Sequence, residues 1–245
     1  MMHFSILSLF PNLLSFYFED SILKRARAQG IFSLDLVDMR PFSPHKFKRA
    51  DFPLVGGGAG QILDPYMVEN ALESLDGGHV IFLSPVGKPY TQQDAQRLAT
   101  YKHLILVCGR YDGFDERLIE THADEVFSVG DFVLTGGELP ALCVCDSVAR
   151  LLKGTLGNVH SLEKESFSQN LLEAPNFANT YNLAKKPSCT QMATISAYSK
   201  GNHARIEGIM HDLSIQRTKY FRPPLYCLDR SLQKFCQNNK KGSSK

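Results

Sequence analysis

The segment from residue 103 to residue 140 constrains the fold of this chain more than any other part of its sequence. Two apolar, strand-like runs, 104–107 and 126–134, each lead into a polar loop that contains two glycines, GRYDG (109–113) and TGGE (135–138). Glycine lets a backbone approach a ligand closely because it has no Cβ. Loops at the carboxyl ends of strands are the usual ligand sites of open α/β sheets. We therefore expect both loops to border one cofactor-sized pocket.

Strand-like and helix-like segments alternate over residues 1–155. Apolar runs predict strands at 3–10, 79–84, 104–107 and 126–134, with a loop at 85–88. The remaining patterns predict helices at 92–102, 114–123 and 139–152, the last closed by Gly154 as a C-cap. Such alternation is typical of βαβ units, so we expect an α/β fold with a mostly parallel sheet.

The composition changes after Gly154. Residues 157–165 are polar and lack an apolar period, which predicts a linker. Beyond them the pattern predicts helices at 166–172, 202–213 and 228–237, without clear strands. We expect a first domain at 1–156, a linker at 157–170 and a small helical domain at 171–245.

Charge is distributed unevenly along the chain. The net charge is +2, but residues 201–245 contain nine lysines and arginines against three acidic residues, a net charge of +6. Residues 1–200 therefore carry −4. A basic end on a near-neutral body favours a polyanionic partner. A solvated helical surface accounts for that charge equally well.

Several classes of protein are excluded by composition. The six cysteines form no C-x-x-C pair and no zinc-like spacing with histidine, which favours reduced thiols in a cytosolic protein. The apolar start lacks a basic region and a small-residue cleavage site, and Pro11 interrupts it, so we expect a buried strand rather than a signal peptide. No apolar run approaches the roughly 18 residues that a membrane span needs. The histidines are scattered, and no metal site is predicted.

Residues 56–60 (GGGAG) form the densest glycine cluster. No Gly-Lys-Ser/Thr follows it, and it does not fit the G-x-G-x-x-G pattern, so neither common phosphate-binding motif is present. A flexible surface loop is one interpretation. The preceding Lys46, Lys48 and Arg49 favour the other, a loop that faces a nucleotide.

Five strings resemble the bacterial tRNA (guanine-N1)-methyltransferase family: LSPVGKPYTQQDAQRL, LILVCGRYDGFDERLI, SVGDFVLTGGELPAL, DSVARLLKGTLGN and GNHARIEGIM. The resemblance runs almost end to end, from HFSILSLFP to RPPL. It implies a homodimeric, cytoplasmic enzyme of the SPOUT class, whose α/β domain contains a deep trefoil knot. It also implies transfer of a methyl group from S-adenosylmethionine to N1 of guanine 37 of tRNA. The partner would then be the tRNA anticodon stem-loop, which the basic helical domain would contact through phosphates.

The resemblance also assigns functional residues by motif. The cofactor would be bound by Leu83, Pro85, Gly109, Tyr111, Val129, Gly130, Asp131, Phe132, Val133, Leu134, Gly136, Gly137 and Pro140. For Val129, Val133 and Leu134, plain strand core is the alternative interpretation. Gly58, Asp112 and Arg150 would contact the substrate, and Asp112 is also a candidate contact for magnesium.

Two residues would perform the chemistry. Guanine N1 must lose a proton to become nucleophilic, so a general base is required. The resemblance gives that role to Glu165, in the string ESF, where the family usually has aspartate; Asp112 is the next candidate. Arg150 would stabilise the charge that develops on guanine O6.

The sequence also departs from the family in the glycine cluster. Ala59 and Gln61 stand where the family usually has proline and methionine, and Asp112 replaces a frequent glutamate. Two rival hypotheses are a SPOUT enzyme that modifies another RNA position and a non-catalytic RNA-binding module. Nucleoside analysis tests the first rival, and cofactor binding tests the second.

Overall fold

A computed structural model of the chain describes residues 1–158, 162, 165–168, 170–178, 198 and 202–227. The chain divides into two compact units, residues 1–159 and 160–245. That division falls near the predicted domain end at residue 156, while a separate linker at 157–170 stays a prediction. In the part of the chain just given, no helix has the length and apolar character needed to cross a membrane.

A five-stranded parallel sheet forms the centre of the first unit. Its strands are β1 (Met2–Ser8), β2 (Phe32–Asp38), β5 (His79–Pro89), β6 (His103–Cys108) and β7 (Glu125–Ser128), in the order β2-β1-β6-β5-β7. A separate antiparallel hairpin joins β3 (Asp51–Pro53) to β4 (Gln61–Leu63). The predicted α/β fold with a mostly parallel sheet is confirmed.

Helices connect the strands. They are α1 (Asn12–Ser15), α2 (Ser21–Ala28), α3 (Pro65–Glu73), α4 (Gln92–Leu98), α5 (Glu116–His122) and α6 (Glu138–Ala149), with α7 (His203–Phe221) in the second unit. Side-chain caps set several of their starts. Thr91 and Asp94 form a reciprocal capping box at α4, and Asp115 accepts from the backbone N–H of Arg117 at α5.

Two apolar layers cover the faces of the sheet. On one face, Phe4 and Ile6 of β1 pack in a cluster with Ala26 of α2, Leu98 of α4 and Val144 of α6. On the other face, residues of β1, β5 and β6 pack against α3 and α5. Because β6 is buried on both faces, its sequence is apolar throughout rather than alternating.

The predicted strand 126–134 is wrong in its second half. β7 is an edge strand that pairs only with β5 in the sheet. Because β5 ends at Pro89, which pairs with Ser128, β7 also ends at Ser128. The Ser128 hydroxyl then donates to the Gly130 carbonyl (2.9 Å) and turns the chain. Phe132 and Val133 consequently lie in a loop, with exposed fractions of 56% and 85%.

The expected loop at 85–88 is also wrong. These residues belong to β5, where the register shifts between Leu83 and Lys88, both opposite Phe127, so the strand carries a bulge. Gly87 allows this path, because a Cβ there would lie 2.6 Å from the backbone carbonyl carbon of Phe127.

Two helix predictions need correction as well. α6 ends at Ala149 with Arg150 as its C-cap, so Gly154 is not the cap. The described residues of 166–172 do not form a helix, because Phe167 and Asn170 have φ values of 74° and 57°. The helix predicted at 202–213 exists and continues to Phe221 as α7. The helix predicted at 228–237 lies outside the described residues.

Candidate active site

A cavity lies at the bulge of β5 and at the ends of β6 and β7. Its lining comes from three chain segments and one helix residue: 83–85, 109–114, 127–130 with 132–137, and Pro140 of α6. The two glycine loops therefore border one cavity, as predicted. The carboxyl edge of a parallel sheet is where open α/β folds bind small ligands.

The two glycine loops meet backbone against backbone. The Gly137 N–H donates to the Gly109 carbonyl at 2.8 Å. A Cβ on Gly137 would lie 2.7 Å from both Cys108 Cα and the Gly109 nitrogen. A Cβ on Gly109 would lie 3.1 Å from the ring of Phe114. Glycine is needed here to let two backbones touch under the cavity.

A buried polar network holds these loops to the sheet. Glu138, the first residue of α6, accepts from the Ser8 hydroxyl at 2.6 Å and from the Arg110 Nε at 3.1 Å. Arg110 Nη2 lies 2.9 Å from the other carboxylate oxygen, and its Nη1 donates to the Thr135 carbonyl at 3.2 Å. Removing one partner of such a pair leaves a buried charge uncompensated. The Ser8–Glu138–Arg110 network therefore fixes the ends of β1 and β6 and the start of α6.

Cys108 lies directly beneath the cavity floor. Its complete burial, together with the nearby Glu138 carboxylate, raises the pKa of the thiol well above its ordinary value. Because the thiol is fully buried and the thiolate is the reactive form, this cysteine acts as a packing residue.

The loop after β6 is also hydrogen-bonded to the β3–β4 hairpin. The Asp112 N–H donates to the Gln61 carbonyl (2.9 Å), and the Leu63 N–H donates to the Gly113 carbonyl (3.1 Å). The Asp112 carboxylate lies against Gly60, where a Cβ would overlap it. The glycine cluster is thus attached to the cavity rim through Gly60, which favours the nucleotide-facing interpretation. Gly58 lies further out in this loop, exposed and with a φ of 122°.

The structure brings most of the predicted cofactor residues together. All of those assigned by motif except Asp131 line the cavity, and so does Asp112 from the predicted substrate contacts. Sequence reasoning missed the lining residues Ser84, Arg110, Gly113, Phe114, Phe127, Ser128 and Thr135. Most of these directly adjoin assigned residues in the same loops, so extending each motif by one residue finds them.

Arg150 does not line the cavity of its own chain. It caps α6 twelve residues after Glu138, a separation of about 18 Å along a helix. Its contact with the substrate stays a prediction.

Glu165 lies in the second unit, where it borders a depression with Ser168 and His211. Its carbonyl accepts from the Ser168 N–H (3.2 Å) and hydroxyl (2.7 Å), which closes a turn. Its role as the general base also stays a prediction. Across the described residues, no three or more His, Cys, Asp and Glu side chains are grouped to hold a metal ion.

Comparison with known proteins gives a consistent result. A family model described as tRNA (Guanine-1)-methyltransferase TrmD matches residues 2–227. A tRNA (guanine-N(1)-)-methyltransferase of Helicobacter pylori (strain Shi470) is 58% identical over 226 residues, which cover 92% of this chain and 98% of that protein. Proteins of the same name from Helicobacter hepaticus and Wolinella succinogenes are 53% and 50% identical, covering 92% of this chain and 92% and 94% of their own lengths. The resemblance carried by the sequence motifs is confirmed, and the chain belongs to the tRNA (guanine-1)-methyltransferase family.

Proposed function

We propose that this chain transfers the methyl group of S-adenosylmethionine to N1 of guanine 37 in tRNA, giving 1-methylguanosine. The observation that carries the proposal is the cavity at the β5 bulge and the ends of β6 and β7, where Gly109 and Gly137 expose bare backbone in a chain of this family. The anticodon stem-loop is the proposed partner, and the cytoplasm is the proposed location.

The cavity residues fit S-adenosylmethionine. Backbone groups at the glycine loops can approach a planar adenine, because no Cβ stands between them and the ligand. Leu83, Leu134 and Pro140 add apolar walls, the combination typical of small-molecule sites. When bound, the cofactor supplies an already activated methyl group, which leaves alignment and electrostatics to the protein.

Glu165 is the proposed base that accepts the N1 proton. Its turn is fixed to the second unit by two backbone-to-side-chain bonds. The Glu173 N–H donates to Ser166 Oγ (3.1 Å), and the Leu172 N–H donates to Thr218 Oγ1 of α7 (2.8 Å). A fixed turn lets the longer glutamate side chain be presented in one place, as general-base catalysis requires.

The position of Arg150 supports a homodimer. About 18 Å of helix separates it from the start of α6, so we propose that a second copy supplies it to this cavity. Three exposed apolar side chains offer a surface for that second copy: Leu13 of α1, Phe16 directly after α1, and Leu139 of α6.

Mixing two inactive variants tests the homodimer proposal. Arg150→Ala removes the arginine, and Leu134→Trp fills the cavity. After subunit exchange, a mixed dimer keeps one complete site, so the mixture should recover about a quarter of the parent activity. A mixture as inactive as its components would place Arg150 in its own chain.

The path of the chain supports the deep trefoil knot. β7 is the edge strand of the sheet, but the backbone that follows it returns towards the centre, where the Gly137 N–H bonds to the Gly109 carbonyl just after β6. The next residue, Glu138, then bonds to Ser8 at the end of β1. We propose that this segment threads a loop of the first unit before α6 packs on the sheet. A crystal structure in which α6 lies outside that loop would contradict the proposed knot.

Two further parts of the proposal concern the second unit and magnesium. Basic residues of α7, with those that follow it, make the helical C-terminal domain the proposed contact for tRNA phosphates. Asp112 at the cavity rim is the proposed contact for magnesium, which proteins bind through one or two carboxylates together with substrate oxygens.

A nucleoside assay tests the activity. Unmodified tRNA is incubated with the protein and S-adenosylmethionine, and its nucleosides are analysed by mass spectrometry. We expect 1-methylguanosine from the parent transcript and none from one with adenosine at position 37. Formation of 1-methylguanosine in both transcripts would indicate another position, and its absence from both would contradict the activity.

Glu165→Gln tests the base. Turnover should fall by about 100-fold or more with cofactor affinity unchanged. Glu165→Asp, which restores the residue usual in the family, is the matched control and should stay active. Near-parent turnover in Glu165→Gln would move the base to another residue.

A further inference from the structure

A basic loop, residues 43–49, precedes the β3–β4 hairpin. Residues 40–50 contain four lysines and arginines and no acidic residue, within a region, 1–200, that is acidic overall. No carboxylate of the described residues lies within ion-pair distance of Lys46, Lys48 or Arg49. The loop therefore presents positive charge that the described parts of the chain do not neutralise.

The basic loop is held in one conformation. The Ser43 hydroxyl donates to the Arg49 carbonyl across the loop (2.7 Å), and Lys48 Nζ donates to the Ser43 carbonyl (3.3 Å). Lys48 Nζ also donates to the Pro41 carbonyl (2.7 Å). Such anchoring lowers the ordering cost when a surface binds a partner.

Phe47 stands at the tip of the basic loop with 89% of its surface exposed. Its backbone is left-handed, with φ 63° and ψ 19°, and Lys48 follows with φ 53°. Bulky residues rarely adopt this conformation, which costs about 1–3 kcal/mol and is found in tight turns and, in clusters, at functional sites. The Lys46 ammonium lies 5.0 Å from the centre of the ring. The loop thus combines a presented aromatic face with adjacent cations.

The β3–β4 hairpin connects the basic loop to the cavity rim. β3 begins at Asp51, two residues after Arg49, and pairs with β4, about 4.8 Å away across the strand pair. β4 in turn bonds to Asp112, which lines the cavity, through the Gln61 carbonyl. A polymer that places one residue in the cavity and continues along this hairpin would reach the basic loop.

We propose that the basic loop binds the RNA around the target guanine, with Phe47 stacking on a neighbouring unpaired base. Lys46 and Arg49 neutralise phosphates beside it. Aromatic side chains stack on unpaired bases and cations contact the backbone where proteins bind single-stranded RNA. The inference rests on the proposed function, because it takes the anticodon loop as the RNA.

The chain contains no tryptophan, so Phe47→Trp introduces a single fluorescent reporter at the stacking position. The variant is titrated with a hairpin RNA that carries the anticodon loop, and with a blunt duplex of the same length. Tyr101→Trp is the matched control, because this partly exposed residue lies at the amino end of β6, away from the carboxyl end that borders the cavity. We expect the hairpin to quench the fluorescence of Phe47→Trp strongly, and expect little change with the duplex or in the control variant.

Affinity measurements complete the test. Phe47→Ala should weaken hairpin binding about 10-fold, as loss of one stacked base does, while Phe47→Tyr binds as the parent does. Lys46→Ala should reduce the slope of log K against log salt by about 0.7. Cofactor affinity should stay unchanged in all three variants.

The outcomes separate this inference from the proposed function. If the parent binds and methylates tRNA but Phe47→Ala matches it in affinity, or if hairpin and duplex quench Phe47→Trp equally, the stacking role is wrong and the enzyme assignment stands. If the parent neither binds the hairpin nor methylates tRNA, the proposed function fails and this inference fails with it.

Discussion

One glycine-rich region lines the cavity and a second is attached to its rim, and they need glycine for different reasons. At the cavity floor, a Cβ on Gly137 would lie 2.7 Å from backbone atoms of the neighbouring loop. In the outer loop, Gly56, Gly57 and Gly58 have φ values of 93°, 84° and 122°, and a Cβ on any of them would meet nothing within 4 Å. At the floor, glycine is therefore required because there is no room for a Cβ. In the outer loop, it is required because the backbone has a positive φ.

This difference indicates separate roles for the two regions. Close backbone packing at the floor fixes the position of the two loops that line the cavity. The outer loop is open around its glycines, so a partner could contact its backbone without displacing neighbouring atoms. Replacing a glycine by alanine in each region therefore tests whether steric crowding or a positive φ is the reason that glycine is needed there.

Gly137→Ala should have the largest effect. Its methyl group meets backbone that cannot move aside, so we expect a loss of about 3 kcal/mol in the free energy of unfolding and at least 100-fold weaker cofactor binding, about 2.7 kcal/mol. Urea unfolding and calorimetry measure the two quantities. Gly157→Ala is the control, because a Cβ there meets nothing within 4 Å. Equal stability of the two variants would contradict the packing argument.

Gly136→Ala should have the next largest effect. Here the added methyl group overlaps the side chains of Arg110 and Glu138, which can shift, whereas backbone cannot. We expect a loss of about 2 kcal/mol in stability, since the buried Ser8–Glu138–Arg110 network is strained but kept. A stability loss larger than that of Gly137→Ala would reverse the ranking of side chain and backbone contacts.

Gly58→Ala tests the outer loop. The substitution forces a non-glycine residue to a φ of 122°, and we expect a loss of about 1 kcal/mol in stability, near the lower end of the cost of such torsions. Cofactor affinity should not change, while binding of the hairpin RNA should weaken. Altered cofactor affinity would show that the two glycine regions are not independent.

Phe47→Gly should have the smallest effect on stability, and in the opposite direction. Glycine adopts the left-handed conformation without strain, so the variant should unfold at a temperature no lower than the parent. Its affinity for the hairpin RNA should nevertheless fall. Thermal unfolding followed by circular dichroism gives the first quantity, and fluorescence anisotropy gives the second. Clear destabilisation would mean that the ring stabilises the loop itself.

Local sequence patterns predicted most of the sheet. The apolar run at 104–107 lies within β6, and the Thr91 cap sets the start of α4, because both depend on neighbours in sequence. The extension of strand 126–134 failed, since the partner that ends β7 at Ser128 is the bulged β5, about 40 residues earlier in the chain. Apolar residues after Gly130 line a cavity instead of continuing a strand.

The sequence motifs predicted the cavity residues in the segments that contain glycine. Gly109, Gly136 and Gly137 stand out in the sequence, and the structure places them together. The Ser8–Glu138 bond joins residues 130 positions apart, and neither residue belongs to a pattern that indicates burial or pairing. Long-range polar contacts of this kind come from the fold and leave no local signal.

The bond between Ser8 and Glu138 has a consequence for biosynthesis. A ribosome must release almost all of the first unit before this bond can close, so a shorter nascent chain lacks the network that holds the cavity loops to the sheet. The cavity therefore takes its final form only when the first unit is complete, and a chain truncated before Glu138 cannot form it.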